Sequence, residues 1–419
     1  MNGMIRISHF AQTESPLDLG KYVEAGGLEG LQAAMTKSPE EVLKIVKDSG
    51  LRGRGGAGFP TGRKWESVVS TENPYLVCNA DEGEPGTFKD RFILEHAPYL
   101  LLEGMVIAAK AIDSRKGYLY IRGEYPHVAE MLREAIDKAV AAGWLGNDIL
   151  GSGFSFNIEV RRGGGSYVVG DETALLSSLM GKRGYPTLKP PFPTQKGLWD
   201  KPTVVNNVET LAYVPIILSH GADAFASIGS KDCPGYKLFC LSGDVTKPGV
   251  YEFPMGTTVS DLLEEAGGVR GTLKALQIGG TAGPIYGPEA LGYHLDFPSM
   301  KNIGGALGSG AIVVMNTSVN MIHVLAVTMR FFAQESCGQC FPCRYGTRQL
   351  DYMAHQIAIG AGKEKYLDLM RQTAETMVGA SLCPFGQSVA MPLLSLLDRF
   401  GEEIVSSIRQ QEYLKEAGA

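Results

Sequence analysis

Seven residues late in the chain carry its densest chemistry. Cys337-Gly338-Gln339-Cys340-Phe341-Pro342-Cys343 sets three thiols at C-x2-C-x2-C spacing, and Cys383 precedes Pro384 downstream. Three thiolates on one tight loop reach three irons of a cubane and leave the fourth iron to a remote thiolate. Glycine and proline let such a loop wrap a cluster, and its amides donate to sulfur, which tunes the potential. Zinc is the competing metal, since it also takes four thiolates. Zinc sites usually pair two short knuckles, whereas this run is a triplet with one outlier. Cys78, Cys233 and Cys240 have no ligand spacing and read as small hydrophobes.

Backbone chemistry comes from glycine, at 53 of 419 residues. Gly53-Arg54-Gly55-Gly56-Ala57-Gly58 fits G-x-G-x-x-G, but the element before it reads as a helix, not the strand a dinucleotide turn requires. What remains is a run of exposed amides with Arg52, Arg54, Arg63 and Lys64 around it, suited to phosphate or to a flat ring. Gly163-Gly164-Gly165 does lie between a strand and a helix, so that Tyr167, Gly170, Asp171, Glu172 and Thr173 enter a helix start able to receive phosphate. Asp171 and Glu172 also suit the positive helix end without any ligand. Asn79, Asp81, Glu82 and Glu84 follow a short apolar strand, where open α/β sheets bind ligands, and solvated turn residues would look the same. Asn206-Asn207 is a further polar contact or a turn. The seven histidines are scattered, and none has metal-ligand spacing.

These residues need a scaffold, and 419 residues predict two or three domains at roughly 150 residues each. Strands at Tyr75 to Cys78, Tyr118 to Ile121 and Phe154 to Arg161 alternate with helices at Pro98 to Ile112, His127 to Ala142 and Glu172 to Met180, which indicates a layered α/β domain. From Tyr236 to Val319, short β-rich pieces and one helix, Val259 to Ala266, suggest a small α+β domain. The last hundred residues read as a helical bundle, with segments near Met321 to Gln334, Tyr345 to Ile359, Tyr366 to Met377 and Val389 to Phe400. The division is 1–235, 236–318 and 319–419.

The 45 acidic residues outnumber the 39 basic ones, leaving a formal charge of -6 and no basic stripe for nucleic acid. No apolar run reaches the roughly 18 residues of a membrane span. Met1 to Ser15 has no signal-type apolar core. A cytoplasmic protein is expected, with any membrane association arising through partner subunits.

Leu51-Arg52-Gly53-Arg54-Gly55-Gly56-Ala57-Gly58-Phe59-Pro60-Thr61-Gly62-Arg63-Lys64-Trp65 closely resembles the flavin-bearing, NADH-oxidising subunit of respiratory complex I. So do Asn79-Ala80-Asp81-Glu82-x-Glu84-Pro85-Gly86, Lys189-Pro190-Pro191-Phe192-Pro193, Asn206-Asn207-Val208-Glu209-Thr210 and Glu335-Ser336-Cys337-Gly338-Gln339-Cys340-x-Pro342-Cys343-Arg344. The matches run in order over nearly the whole chain. The family also supplies the diaphorase module of soluble hydrogenases, formate dehydrogenases and related complexes.

This resemblance implies an FMN- and NADH-binding α/β domain, a small ubiquitin-like (SLBB-type) α+β domain and a C-terminal helical bundle carrying a [4Fe–4S] cluster. FMN is then expected at Gly53, Arg54, Gly55, Gly56, Gly58, Lys64, Asn79, Asp81, Tyr167, Gly170, Asp171, Asn206, Asn207 and Thr210. NAD(H) is expected over it, with Phe59 at the adenine and Glu82, Glu84, Glu172 and Lys189 as polar contacts. Cys337, Cys340, Cys343 and Cys383 match the cluster ligands. No catalytic acid or base is implied. Glu172 beside the ribose would repel a 2′-phosphate and favour NADH over NADPH. The implied partners are a thioredoxin-like [2Fe–2S] subunit and further iron–sulfur subunits. Three positions depart from the family pattern: Gly83 replaces a common serine, Asp171 replaces a glutamate, and the triple-glycine loop is a variant. They leave open whether the assembly is complex I itself, a hydrogenase, a formate dehydrogenase or an electron-bifurcating acyl-CoA reductase. The competing reading from another class is a zinc-bearing scaffold with a vestigial flavin pocket.

Overall fold

The computed structural model describes residues 6–12, 15–69 and 71–416. The stretch Met1 to Ser15, read above as lacking a signal-type core, lies partly outside the described residues. The first sheet has four parallel strands: β1 (Tyr75–Ala80), β2 (Lys116–Ile121), β3 (Asn157–Arg162) and β4 (Thr203–Asn207). Their spatial order is β3-β2-β1-β4. The chain therefore winds outward from β1 to β3 and then returns to the other side of β1. The carboxyl ends of β1 and β4 flank this reversal, the place where open α/β sheets hold ligands. Register completes the arrangement, because Asn79 on β1 lies opposite Asn207 on β4.

Behind the sheet, helix Pro98–Ala111 packs on helix Val208–His220. Contact is backbone to backbone at Gly104, where an added Cβ would stand 2.0 Å from the Leu211 carbonyl oxygen. The adjoining Glu103 is buried and accepts from the amides of Leu28 (2.9 Å) and Leu31 (2.8 Å) and from the Tyr22 hydroxyl. This ties the N-terminal helices to the core without a cation. Helix Val208–His220 carries no periodic signal in the sequence: nearly every position is buried, so it lacks the amphipathic period. Asn207 is its N-cap, accepting from the Glu209 amide at 3.0 Å.

The second sheet has five strands in the order Ile285–Tyr286, Leu273–Ile278, Ala311–Asn316, Tyr236–Gly243, Gly249–Pro254. Ala311–Asn316 runs parallel to Tyr236–Gly243 and antiparallel to Leu273–Ile278, and helix Val259–Glu265 packs into the same core. The helical region holds Met321–Glu335, Phe341–Ala358, Lys365–Ala380, Pro384–Ser388 and Ala390–Glu416. Its second long helix starts four residues before the expected Tyr345, because Pro342 suits a first turn whose amide has no partner anyway. Cys343 therefore sits on a helix rather than in the loop of Cys337 and Cys340.

Among the described residues, no single helix is long and apolar enough to cross a membrane. Lys89–His96 and Pro98–Ala111 pass by composition only as a pair, and they bend by 99°.

Gly104→Ala inserts a methyl group between two helix backbones, so it should destabilise the chain by about 2 kcal/mol, within the range for overpacked cores. A thermal-unfolding midpoint unchanged from wild type would contradict the contact.

Candidate functional site

A cleft of 480 Å³ opens at the strand reversal. The first sheet contributes Gly55, Gly56, Asn79, Asp81, Glu82, Glu84, Tyr167, Gly170, Asp171 and Asn207 to its walls. The second-sheet region adds Gly279, Gly308 and Ser309, and the helical region adds Pro384, Phe385 and Met391. All three parts of the chain thus meet at one cleft. Glycine is needed in its wall at Gly55, where a Cβ would press within 3.0 Å of Asn207. The Asn79 side-chain amide donates to the Gly170 carbonyl at 3.0 Å, so the loop after β1 closes against the turn Tyr167–Gly170. Asp171 caps helix Glu172–Leu179, accepting from the amides of Thr173 (2.9 Å) and Ala174 (3.2 Å).

Other expected residues stand around the cleft rather than in its lining. The Gly53 amide donates to the Phe59 carbonyl at 2.8 Å and closes the glycine loop on itself. Gly58 faces the Phe297 ring, and Phe59 is 53% exposed. The Arg54 guanidinium is fully buried and donates to the carbonyls of Pro234 (2.6 Å) and Tyr236 (3.1 Å), away from the cleft. Its amide donates to the Thr210 hydroxyl at 2.8 Å. Asn206 accepts from the Trp65 indole at 2.8 Å. Lys64 reaches Glu172 at 3.1 Å, and Lys189 reaches the other oxygen of Glu172 at 2.6 Å. Burial alone would raise the Glu172 carboxyl, but the two lysines, Lys64 foremost, hold it below its usual range.

The cleft floor is a buried charge network that the motifs only partly announce. Lys89, 1% exposed, donates to Asp90 (2.6 Å) and Asn207 (3.2 Å) and pairs with Glu209 (3.0 Å). Glu209 also pairs with Lys237 at 3.1 Å and accepts from the Leu238 amide at 2.7 Å. Burial would depress the Lys89 ammonium, but Asp90 and then Glu209 hold it above its ordinary value. The Lys237 ammonium falls to about 8, burial outweighing the help of Glu209. Sequence reasoning misses Lys89. The available signal is a cation in the first turn of helix Lys89–His96, where the macrodipole disfavours it, and Glu209 in an otherwise apolar helix.

Two acids face the cleft in strained solvation. Burial pushes the Asp81 carboxyl up to about 7 against the opposing pull of Arg122, and its Oδ2 is buried without a partner. Burial, then Asp90, raises Glu82 to about 7, although it accepts from the amides of Asp90 (2.7 Å) and Arg91 (2.9 Å). Glu84 is raised by burial and accepts from the Tyr167 hydroxyl and from the Ala282 amide at 3.0 Å. An unpartnered carboxyl oxygen, a glycine wall and a cationic floor fit a ligand with hydroxyl groups, a flat ring and a phosphate.

The four cysteines of the expected cluster gather at the helical end of the same region. Cys340 is the N-cap residue of helix Phe341–Ala358, Cys383 that of Pro384–Ser388, and Cys337, Cys340 and Cys383 all perturb Cys343 electrostatically. Burial pushes the Cys343 thiol up to about 12 and raises that of Cys383. Gly386 makes room there, since a Cβ on it would stand 3.0 Å from that of Cys343. Nearby, Ser381 Oγ and Arg344 Nε are buried without partners. Among the described residues, no three ligand side chains converge on one metal-ion position. A cubane asks for no such convergence, because each thiolate meets a different iron. Cys78, Cys233 and Cys240 are buried packing residues.

Family models match in the same order as these parts. The Nuo51 FMN-binding domain matches residues 46–216, the SLBB domain 238–287 and the NADH-ubiquinone oxidoreductase-F iron-sulfur binding region 323–407. The chain is 45% identical over 399 residues to the second F-type subunit of the NADH-quinone oxidoreductase of Rhizobium meliloti (strain 1021), covering 94% of this chain and 95% of that protein. It belongs to the family of NADH-quinone oxidoreductase F-type subunits.

Members under another name are nearly as similar. The NADP-reducing hydrogenase subunit HndC of Solidesulfovibrio fructosivorans is 42% identical, with 93% of this chain and 80% of that one covered. An NAD+-reducing [NiFe]-hydrogenase in the H2-reduced state superposes with a TM-score of 0.83 at 39% identity, over 89% of this chain and 63% of that longer one. As a member of the F-type family, the chain is an oxidoreductase using FMN, a [4Fe–4S] cluster and NADH. The same membership sets the zinc scaffold aside.

Because Asp81 binds its proton more tightly when folded than at its ordinary value near 4, the flavin-stripped chain should lose stability as pH rises from about 4 to about 7. Asp81→Asn removes that loss, so its lead over wild type in unfolding midpoint should grow from pH 5 to pH 8. A lead independent of pH would contradict the assignment.

Proposed function

We propose that the cleft at the strand reversal oxidises NADH and that its electrons leave one at a time through Cys337, Cys340, Cys343 and Cys383 to an iron–sulfur partner. The observation carrying this reading is the convergence of all three parts of the chain on one cleft, with Phe385 lining it only two residues from Cys383. FMN bound there accepts a hydride from NADH and releases electrons singly, a conversion that belongs to the cofactor.

The protein's part is seating and electrostatics. Gly55 and Gly56 leave a wall without side chains, against which a flat ring lies close. Lys89 keeps a positive charge beneath the floor, where developing negative charge is stabilised in a dry, pre-organised setting. Asp81 offers an unpartnered oxygen to ligand hydroxyls. Phe59, exposed at the mouth, offers a face for an adenine, and Lys64, Glu172 and Lys189 form a polar rim for its ribose.

A partner bearing its own cluster follows from chemistry, since one cubane has no terminal acceptor in this chain. A thioredoxin-like [2Fe–2S] subunit is the partner we propose, within a complex I-like or hydrogenase-like assembly. Likeness to proteins of both names supports either. Any attachment to a membrane is proposed to run through those partners.

Purified anaerobically, the chain should show flavin bands that NADH bleaches and should reduce ferricyanide, a one-electron acceptor, with NADH as donor. A colourless zinc protein indifferent to NADH would overturn the proposal. At the rim, Glu172→Ala frees two lysines and removes the charge that repels a 2′-phosphate. The NADPH-to-NADH ratio of kcat/KM should rise about tenfold, one charge-assisted contact being worth at least ~1.5 kcal/mol. An unchanged ratio would remove Glu172 from cofactor choice.

A further inference from the structure

Glu335 is the last residue of helix Met321–Glu335, and an acid there opposes the negative end of the helix dipole. A long-range contact offsets that cost. Its Oε2 accepts from the Tyr167 amide at 3.0 Å, across 168 residues of sequence. Tyr167 opens the turn Tyr167–Gly170, where an amide has no partner within the turn, and its side chain lines the cleft.

Tyr167 is gripped at three more points. Phe331, one helical turn before Glu335, meets its ring edge-on at 5.1 Å. Phe385, two residues past Cys383, meets it at 5.7 Å. Phe332 packs on both phenylalanines, at 5.5 and 5.6 Å. The Tyr167 hydroxyl donates to Glu84, which in turn holds the second-sheet region through the Ala282 amide. On its other side Glu335 adjoins the cluster loop: Ser336 places its hydroxyl 3.3 Å from Cys343 Sγ, and Cys337 follows. One carboxylate thus joins the wall of the flavin cleft to the loop of cluster cysteines.

We infer that Glu335 is a positioning residue that sets the separation between the flavin cleft and the iron–sulfur cluster through its bond to the Tyr167 amide. The inference rests on the electron path proposed above. Its role is geometric: the bond supplies an acceptor at a fixed place, and glutamine supplies one too. Loss of the acceptor leaves a buried amide unpaired and loosens the wall against the loop.

The test uses the holo-chain with both cofactors, followed by stopped flow for flavin bleaching and by rapid-freeze EPR for the cluster. Glu335→Ala should keep wild-type flavin and iron content and wild-type bleaching by NADH. Its cluster should be reduced about tenfold more slowly, since misplacement by ~1 Å can cost up to about 100-fold. Glu335→Gln should restore most of the rate. Cluster reduction at the wild-type rate in Glu335→Ala would overturn the inference, as would a glutamine variant as slow as alanine. Should Glu335→Ala lose its cluster, hydrogen exchange of the Tyr167 amide in the wild-type holo-chain decides, with protection expected and rapid exchange contradicting. Absence of NADH bleaching in wild type would instead defeat the underlying electron path.

Discussion

Parallel pairing of β1 with β4 is the constraint on which the rest depends. It puts Asn79 and Asn207 side by side and opens the sheet where its winding reverses. Segments far apart in sequence become two lips of one cleft. Because Asn207 also caps helix Val208–His220, the strand end, the cap and the cleft wall are one residue. A slip of register by one residue would turn every side chain of β4 to the other face and remove all three functions together.

Burial of charge under that cleft is the second commitment. Lys89, Asp90, Glu209 and Lys237 are each nearly or fully buried. Ions in such a place contribute little net stability, yet leaving one without its partner is costly. Lys237 lies on strand Tyr236–Gly243, so the network also fastens the second sheet to the first. The geometry favours a functional reason for keeping a cation under the floor: a fixed positive field where electrons arrive. The cluster end shows the same economy, with Phe385 touching both the cleft and the ring of Tyr167.

Much of this is legible in the residues. The thiol triplet with its outlier, the strands β1 and β2, and the change to helices after Val319 all follow from spacing and periodicity. Contacts that depend on pairing of distant segments do not show. Nothing local says that Arg54 turns its guanidinium to Pro234 and Tyr236, or that Glu172 is shared by Lys64 and Lys189. Strand Leu273–Ile278 and helix Phe297–Asn302 escape detection because both are short, and the helix opens on a Phe-Pro step that reads as a turn. Alternation carries the expected third strand back to Phe154, whereas β3 begins at Asn157, because the pattern continues through a loop that is bridged to Gly146 only at Phe156. The resemblance to complex I subunits supplies cofactor identity, which no spacing of glycines provides.

A two-electron donor and a one-electron wire joined within one chain form the centre of this account. Equilibrium titration of the anaerobic holo-chain with NADH, read by flavin absorbance and by EPR on the same samples, tests it most directly. The account predicts that the flavin bands fade and the signal of the reduced cubane grows over the same additions. A flavin that fades completely while the iron centre stays silent would contradict it.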